Sequence, residues 1–184
     1  MNKAHFTTVF SGKIVKLATG TVILPNGHSL SIEKVIHPGG AAVVILNEDN
    51  QICFLKQYRC VFDAWFIELP AGKIDEGEDP QLTAHRELLE ETGIIAERWD
   101  SLGSMVSSPG IFTERVHLYL ARKISQQKNI EIAADEVFET GWMPLEEAYA
   151  MAMRNEITDA KSIIAISRAR YFLQQEKTGT DRSN

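Results

Sequence analysis

The stretch "LPAGKIDEGEDPQLTAHRELLEETGII" (residues 69–95) decides the fold, because it contains a helix with clear start and stop signals. Asp79 can cap the N-terminus with its side chain, and Pro80 suits the first helical position. Gly93 suits the position just after the helix, where the backbone often turns left-handed. Together these residues predict a helix of about 13 residues that follows a glycine-containing loop.

The same stretch is strongly acidic, with seven carboxylates against one lysine, one arginine and one histidine. Three of the acids, Glu87, Glu90 and Glu91, fall in the last helical turn within a sector of roughly 100°. Such neighbours repel each other, and the helix dipole disfavours anions at this end. A solvated acidic face is one interpretation. A hard divalent cation such as Mg²⁺ resolves the conflict better, since it prefers carboxylate oxygens and keeps waters for a phosphate-bearing substrate.

The elements around this helix predict an α/β protein. Residues 8–36 alternate apolar and polar positions around a turn at 25–28, which indicates a small β unit. Further strands are predicted at 41–46, 52–59, 65–69, 115–122 and 137–143, and two further helices at 144–155 and 159–175, the last capped by Asp159. We expect an N-terminal antiparallel β appendage (1–38), a mixed α/β domain (39–176) and a disordered tail (177–184).

The composition and charge of the chain argue against some classes of function. The 184 residues are 44% hydrophobic and 24% charged, as expected for a globular domain with a real core. A net charge of −6 argues against nucleic acid and anionic membranes as partners, although a metal could still recruit an anionic ligand. The N-terminus has no apolar signal core, and no window reaches the ~20 apolar residues of a membrane span. With Cys53 and Cys60 interpreted as reduced thiols, we expect a cytoplasmic protein.

The acidic stretch resembles the signature of the Nudix hydrolases: G, five residues, E, seven residues, then R-E-U-x-E-E-x-G-U, where U is a bulky aliphatic residue. All nine specified positions match, namely Gly72, Glu78, Arg86, Glu87, Leu88, Glu90, Glu91, Gly93 and Ile94. The resemblance implies an α/β/α sandwich with a mixed sheet. It also implies hydrolysis of a nucleoside diphosphate linked to another group, with Mg²⁺ or possibly Mn²⁺ as the cofactor.

Other motifs resemble the ADP-ribose pyrophosphatase branch of this family. Pro109, in "SSPGIFTE" (107–114), lies sixteen residues after Gly93, and "KQYR", "ELPAG" and "NEITDAK" (155–161) also look like that branch. The implied reaction converts ADP-ribose to AMP and ribose 5-phosphate. GDP-mannose hydrolases share much of this layout and stay open as an alternative. A catalytically silent nucleotide-sugar sensor is the alternative from another class, and the complete acidic set argues against it.

The resemblance also implies roles for individual acids. Glu87, Glu91 and the Ala71 carbonyl correspond to metal ligands, and Glu90 is expected to support the same cluster. Glu136, in the acidic loop "AADEVFE", corresponds to a further metal ligand or to the general base. Glu78 is expected at the periphery of the metal site.

The remaining roles concern orientation and substrate. Arg86 is expected to orient the acids, and Arg59 resembles an arginine that grips the diphosphate with its two-pronged guanidinium. Glu114 and Pro109 are expected to take part in substrate binding, with Glu114 touching the terminal ribose or ordering the loop that contains Pro109. The resemblance further implies a homodimer with a shared active site, in which the partner's β appendage contacts the base. Candidates for stacking on the base are Phe6, Phe10, Tyr58, Phe62 and Trp65.

Overall fold

A computed structural model describes residues 5–126 and 137–179 of the chain. The strands are β1 His5–Ser11, β2 Lys16–Ile23, β3 Ser29–Ile36, β4 Gly40–Ile45, β5 Gln51–Arg59, β6 Ala64–Glu68, β7 Ala71–Lys73, β8 Ile94–Val106, β9 Arg115–Gln126 and β10 Phe138–Pro144. The helices are α1 Pro80–Thr92, α2 Leu145–Met153 and α3 Ala160–Thr178. No helix among these residues is both long enough and apolar enough to cross a membrane.

The central sheet has the strand order β7-β4-β9-β8, with β4 and β9 parallel and the other pairs antiparallel. Every residue of β4 is buried, as its uninterrupted apolar run predicts. Successive side chains of a strand point to opposite faces. Ala41 and Val43 therefore pack in the core on the α1 side, while Ala42 and Val44 pack with α2 and α3. The predicted α/β/α sandwich with a mixed sheet is confirmed.

Two smaller sheets flank this sandwich. Strands β10, β5 and β6 form an antiparallel sheet in that order, and β1, β2 and β3 form another. The β1-β2-β3 sheet, called the first sheet below, is joined to the loop between β8 and β9 at Val35 of β3. The Val35 N–H donates to the Ile111 carbonyl, and the Val35 carbonyl accepts from the Thr113 N–H. The domain limits proposed from the sequence, 1–38 and 39–176, stay predictions.

Helix α1 begins and ends where its sequence signals predict. The Asp79 side chain accepts a hydrogen bond from the Gln81 N–H at 2.8 Å, and Pro80 opens the helix. Gly93 ends it at φ 67°, in the left-handed region that glycine enters without a Cβ penalty. Because the helix ends at Gly93, Glu87, Glu90 and Glu91 all lie close to its C-terminus.

Three features differ from the sequence-based expectation. The long strand β8 and the short strand β7 were not predicted. In β8 the alternation of buried and exposed residues breaks down, and its register shifts between Ser101 and Ser104, beside Gly103 at φ +82°. Helix α3 continues to Thr178, into the segment expected to be disordered, and residues 180–184 of that segment lie outside the described residues.

Candidate active site

The site begins where β7 crosses α1. Gly72 lies so close to Glu87 that a Cβ atom at position 72 would be 1.8 Å from the Glu87 Oε1 atom. Only a glycine leaves room for the carboxylate there. The glycine of the signature therefore brings the Glu87 side chain directly against the backbone of β7.

Arg86 holds three acids with one guanidinium. Its Nη1 atom donates to Glu87 Oε1 at 2.7 Å and to Glu90 Oε2 at 3.2 Å. Its Nε and Nη2 atoms donate to the two carboxylate oxygens of Glu78, at 3.1 and 3.0 Å. Hydrogen bonds from Arg86, and next from Thr83, lower the pKa of Glu78 to about 2. Arg86 thus offsets part of the repulsion in this cluster and fixes the directions of the acids.

Glu91 is anchored on the other side of the same loop. Its Oε2 atom accepts the Ala71 N–H at 2.9 Å, and the residue is only 3% exposed. Cys53 lies nearby, and burial, reinforced by the Glu91 charge, raises the pKa of its thiol to about 12. Cys53 is therefore a neutral, unreactive thiol at physiological pH.

The structure brings four of the five proposed metal-binding residues into one patch. Glu87 and Glu90 share the Arg86 Nη1 atom, and Glu91 is bonded to Ala71. Within residues 5–126 and 137–179, no three acids, histidines or cysteines are arranged around a metal position. The donors are nonetheless oxygens throughout, which suits a hard cation such as Mg²⁺ or Mn²⁺. The fifth residue, Glu136, lies outside the described residues.

Arg59 is paired with an acid that the sequence analysis did not single out. Its Nε and Nη2 atoms donate to the two carboxylate oxygens of Glu68, both at 2.7 Å. The hydrogen bond to Glu68 is the main cause that raises the pKa of Arg59, and the charges of Asp159 and Glu91 contribute as well. The guanidinium therefore lies within electrostatic reach of the acidic patch.

Lys161 also donates to Glu68. The signals for Glu68 and Lys161 were present in "ELPAG" and "NEITDAK", but nothing in the sequence paired residues so far apart.

Glu114 and Pro109 lie on the loop between β8 and β9. The Glu114 carboxylate is 3.3 Å from His37 Nδ1, at the junction between the first sheet and β4. The His37 N–H also donates to Thr113 Oγ1 at 3.0 Å. Thr113 and Glu114 therefore both connect the loop to this junction. Pro109 is exposed at the turn of the loop.

The aromatic candidates divide between the first sheet and the β5–β6 hairpin. Phe6 lies under the Lys34 ammonium, 3.5 Å from the ring centre, and Phe10 is exposed. In the hairpin, Tyr58 packs edge-on against Trp65, and the exposed Phe62 packs against Phe66.

Comparison with known proteins identifies the class. The model of the NUDIX domain family matches residues 36–165, which include the acidic patch, Arg59 and Glu114. The chain therefore belongs to the Nudix hydrolase family, and it is an enzyme of that family rather than a structural protein.

Individual relatives show which members of this family the chain resembles. It is 40% identical over 159 residues to the methanol dehydrogenase activator of Bacillus methanolicus, covering 86% of each chain. It is 38% identical over 159 residues to the ADP-ribose pyrophosphatase of Bacillus subtilis (strain 168), again covering 86% of each. A crystal structure of an ADP compounds hydrolase shares the fold, with a TM-score of 0.79, 19% identity and coverage of 96% and 97%.

Proposed function

We propose that this protein hydrolyses the diphosphate of a nucleoside diphosphate sugar with the help of a divalent metal ion. We propose ADP-ribose as the substrate, with AMP and ribose 5-phosphate as the products. The observation that carries the proposal is the acidic patch, in which a glycine admits Glu87 to the loop backbone and a backbone N–H anchors Glu91.

Mg²⁺, with Mn²⁺ as the alternative, is the cofactor of this proposal. Glu87, Glu91 and the Ala71 carbonyl would hold it, with support from Glu90 and from Glu136. When bound, the metal neutralises phosphate charge and lowers the pKa of water.

The chain's own groups do the positioning. Arg86 keeps three carboxylates in fixed directions, so little reorganisation is needed when substrate arrives. Arg59 offers the diphosphate the part of its guanidinium that Glu68 does not occupy, and Glu114 with the Pro109 loop faces the sugar end. Glu136 is proposed as the general base that accepts a proton from the attacking water.

A substrate panel tests this proposal. Protein stripped of metal is supplied with about millimolar Mg²⁺ and with ADP-ribose, GDP-mannose or other nucleoside diphosphate sugars, and the products are separated chromatographically. We expect AMP and ribose 5-phosphate from ADP-ribose, and no turnover in excess EDTA. Faster turnover of GDP-mannose would favour the alternative substrate. Tight binding of ADP-ribose without any product would favour the sensor, and full activity in EDTA would rule out the metal role.

A second candidate function follows from the 40% identical relative, which is named as an activator of methanol dehydrogenase. The test adds this chain to purified methanol dehydrogenase, using wild type and Glu91→Gln side by side. Activation that survives Glu91→Gln would be independent of hydrolysis. If Glu91→Gln loses both hydrolysis and activation, activation would depend on the hydrolytic activity.

We also propose a cytoplasmic homodimer. Cys53 and Cys60 are free thiols, which suits a reducing compartment. Apolar side chains of the first sheet are exposed, including Phe10 at 57% and Ile23 at 60%. A three-stranded sheet with exposed apolar residues favours a protein partner, and a second copy of the chain is the partner we propose.

A further inference from the structure

The segment "NEITDAK" (155–161) leads into α3 and has no role in the function proposed so far. Asp159 caps α3, since its Oδ2 atom accepts the Ser162 N–H at 3.0 Å. The Ser162 hydroxyl, which is almost fully buried, accepts the Leu69 N–H at 2.8 Å. The first turn of α3 is therefore fastened to the backbone just beyond β6, two residues before Ala71.

Lys161 extends this connection to the side chains. Its Nζ atom donates to Glu68 Oε2 and lies 3.0 Å from Asp159 Oδ2. The Glu68 side chain is only 4% exposed. Burial raises the pKa of Glu68, but hydrogen bonds from Arg59 and the nearby charge of Lys161 outweigh it, so the pKa falls below its ordinary value. Glu68 is thus an ionised, buried carboxylate shared by two cations.

This sharing matters for Arg59. A carboxylate that binds a single arginine in a fork neutralises it, whereas Glu68 divides its charge between Arg59 and Lys161. The Arg59 side chain is 40% exposed beyond this contact and can present positive charge to an anion. An arginine already locked in one rotamer loses less conformational entropy when it binds phosphate.

We infer that Lys161 is a positioning residue for the diphosphate: it holds Glu68 and shares its charge, so that Arg59 stays fixed and its positive charge is only partly neutralised. This inference rests on the proposed function, which assigns the diphosphate contact to Arg59. Lys161 acts on substrate binding through two other side chains.

Kinetics test the inference with Lys161→Met, which keeps most of the side-chain length and removes the charge. We expect KM for ADP-ribose to rise about tenfold and kcat to stay within about twofold. The scale is that of residues that support metal ligands, whose loss typically costs about 10- to 100-fold in affinity or activity. Lys177→Met, in the exposed last turn of the same helix, is the matched control and should leave both constants unchanged.

A double-mutant cycle separates positioning from general damage. Arg59→Gln alone should raise KM, and adding Lys161→Met to it should raise KM by less than about twofold more, because the pathway through Arg59 is already gone. Fully additive effects, or an unchanged KM in Lys161→Met, would overturn the inference. If Lys161→Met does not fold, Lys161→Gln, which keeps a hydrogen-bond donor without the charge, replaces it in the cycle.

A spectroscopic measurement keeps the inference separate from the proposed function. The ¹⁵N resonance of the Arg59 side-chain Nε–H, assigned by its loss in Arg59→Gln, reports on the bond to Glu68. We expect it to shift in Lys161→Met and to stay in place in Lys177→Met. A wild-type protein with no turnover on any nucleotide sugar would end the proposed function, and an unmoved resonance would end the positioning role whether or not the enzyme turns over.

Discussion

Glu91 is buried, is bonded to the loop backbone and lies in the same helical turn as Glu87 and Glu90. A single substitution can remove its charge and keep its size. Glu91→Gln keeps the size of the side chain and an oxygen that can accept the Ala71 N–H. We predict a fall in kcat of about 100-fold or more, as for loss of one charged group at a reacting centre. Stability should hold or rise slightly, because repulsion in the last turn of α1 is relieved.

Steady-state kinetics with a thermal melt check this prediction. Wild-type kcat in Glu91→Gln would contradict the assignment. A melting temperature that collapses together with activity would show that the carboxylate serves the fold instead.

Glu78 makes stability depend on pH in a defined direction. Hydrogen bonds from Arg86 lower its pKa in the folded chain from 4.5 to about 2, so the unfolded chain takes up the proton first as pH falls. Its stabilising contribution is fully present above pH 4.5 and is lost as the pH falls towards 2.

The measurement compares urea midpoints of wild type and Glu78→Gln between pH 6 and pH 3. We predict a difference that is largest at pH 6 and shrinks at the acidic end. Glu76→Gln, an exposed neighbour, is the control. A difference that does not change with pH would show that Glu78 acts through its shape rather than its charge.

At the scale of elements, the first turn of α3 is the support for the loop between β6 and β7. Ser162→Ala removes the hydroxyl that accepts the hydrogen bond of the buried Leu69 N–H, which has no other acceptor among residues 5–126 and 137–179. We predict a loss of about 1–3 kcal/mol in the free energy of unfolding, the usual cost of an unsatisfied buried group.

Ser167→Ala is the matched control on the same helix, because the Ser167 hydroxyl donates to the Ile163 carbonyl one turn back and to nothing else in the part of the chain that the structure describes. That bond contributes little to a helix, so the control should stay within about 0.5 kcal/mol of wild type. Equal losses in the two variants, measured by chemical denaturation, would contradict the supporting role of Ser162.

Elements with local signals could be predicted from the sequence, and those that depend on distant partners could not. The ends of α1 follow from Asp79, Pro80 and Gly93, which act on their immediate neighbours. Strand β8 was missed because its buried and exposed residues do not alternate regularly along its length. Its hydrogen bonds to β9 stabilise it as a strand despite this irregular pattern.

In the candidate site, too, contacts between residues close in sequence could be predicted, and contacts between distant residues could not. The acids lie close together in the sequence, so their spacing on one helix could be deduced. The contact between Glu68 and Lys161 joins residues 93 positions apart, and only the folded chain brings them together.

At the scale of the whole molecule, the first sheet is the part we propose to be shared between two copies of the chain. Deleting residues 1–36 should give monomers with much weaker binding of ADP-ribose, because the exposed apolar strands and the proposed contacts with the base are removed together. Light scattering and KM measurements on the deletion and on the full chain decide this.

The deletion also removes Val35, which bonds the loop between β8 and β9. The double substitution of Phe10 and Ile23 to serine leaves Val35 in place and serves as the more selective variant. A monomeric full-length chain at micromolar concentration, or an unchanged KM in the deletion, would contradict the shared site.

The bonding of the first sheet to the loop between β8 and β9 has a consequence for the order of folding. The bond between His37 and Thr113 spans 76 residues, whereas the bond between Ala71 and Glu91 spans only 20. Distant contacts close larger loops of chain, so they cost more entropy and tend to form later. We therefore expect a newly made chain to assemble the acidic patch before the loop between β8 and β9 is in place. If the proposed function holds, such an intermediate would have its acidic patch assembled before the first sheet and the loop between β8 and β9 complete the site.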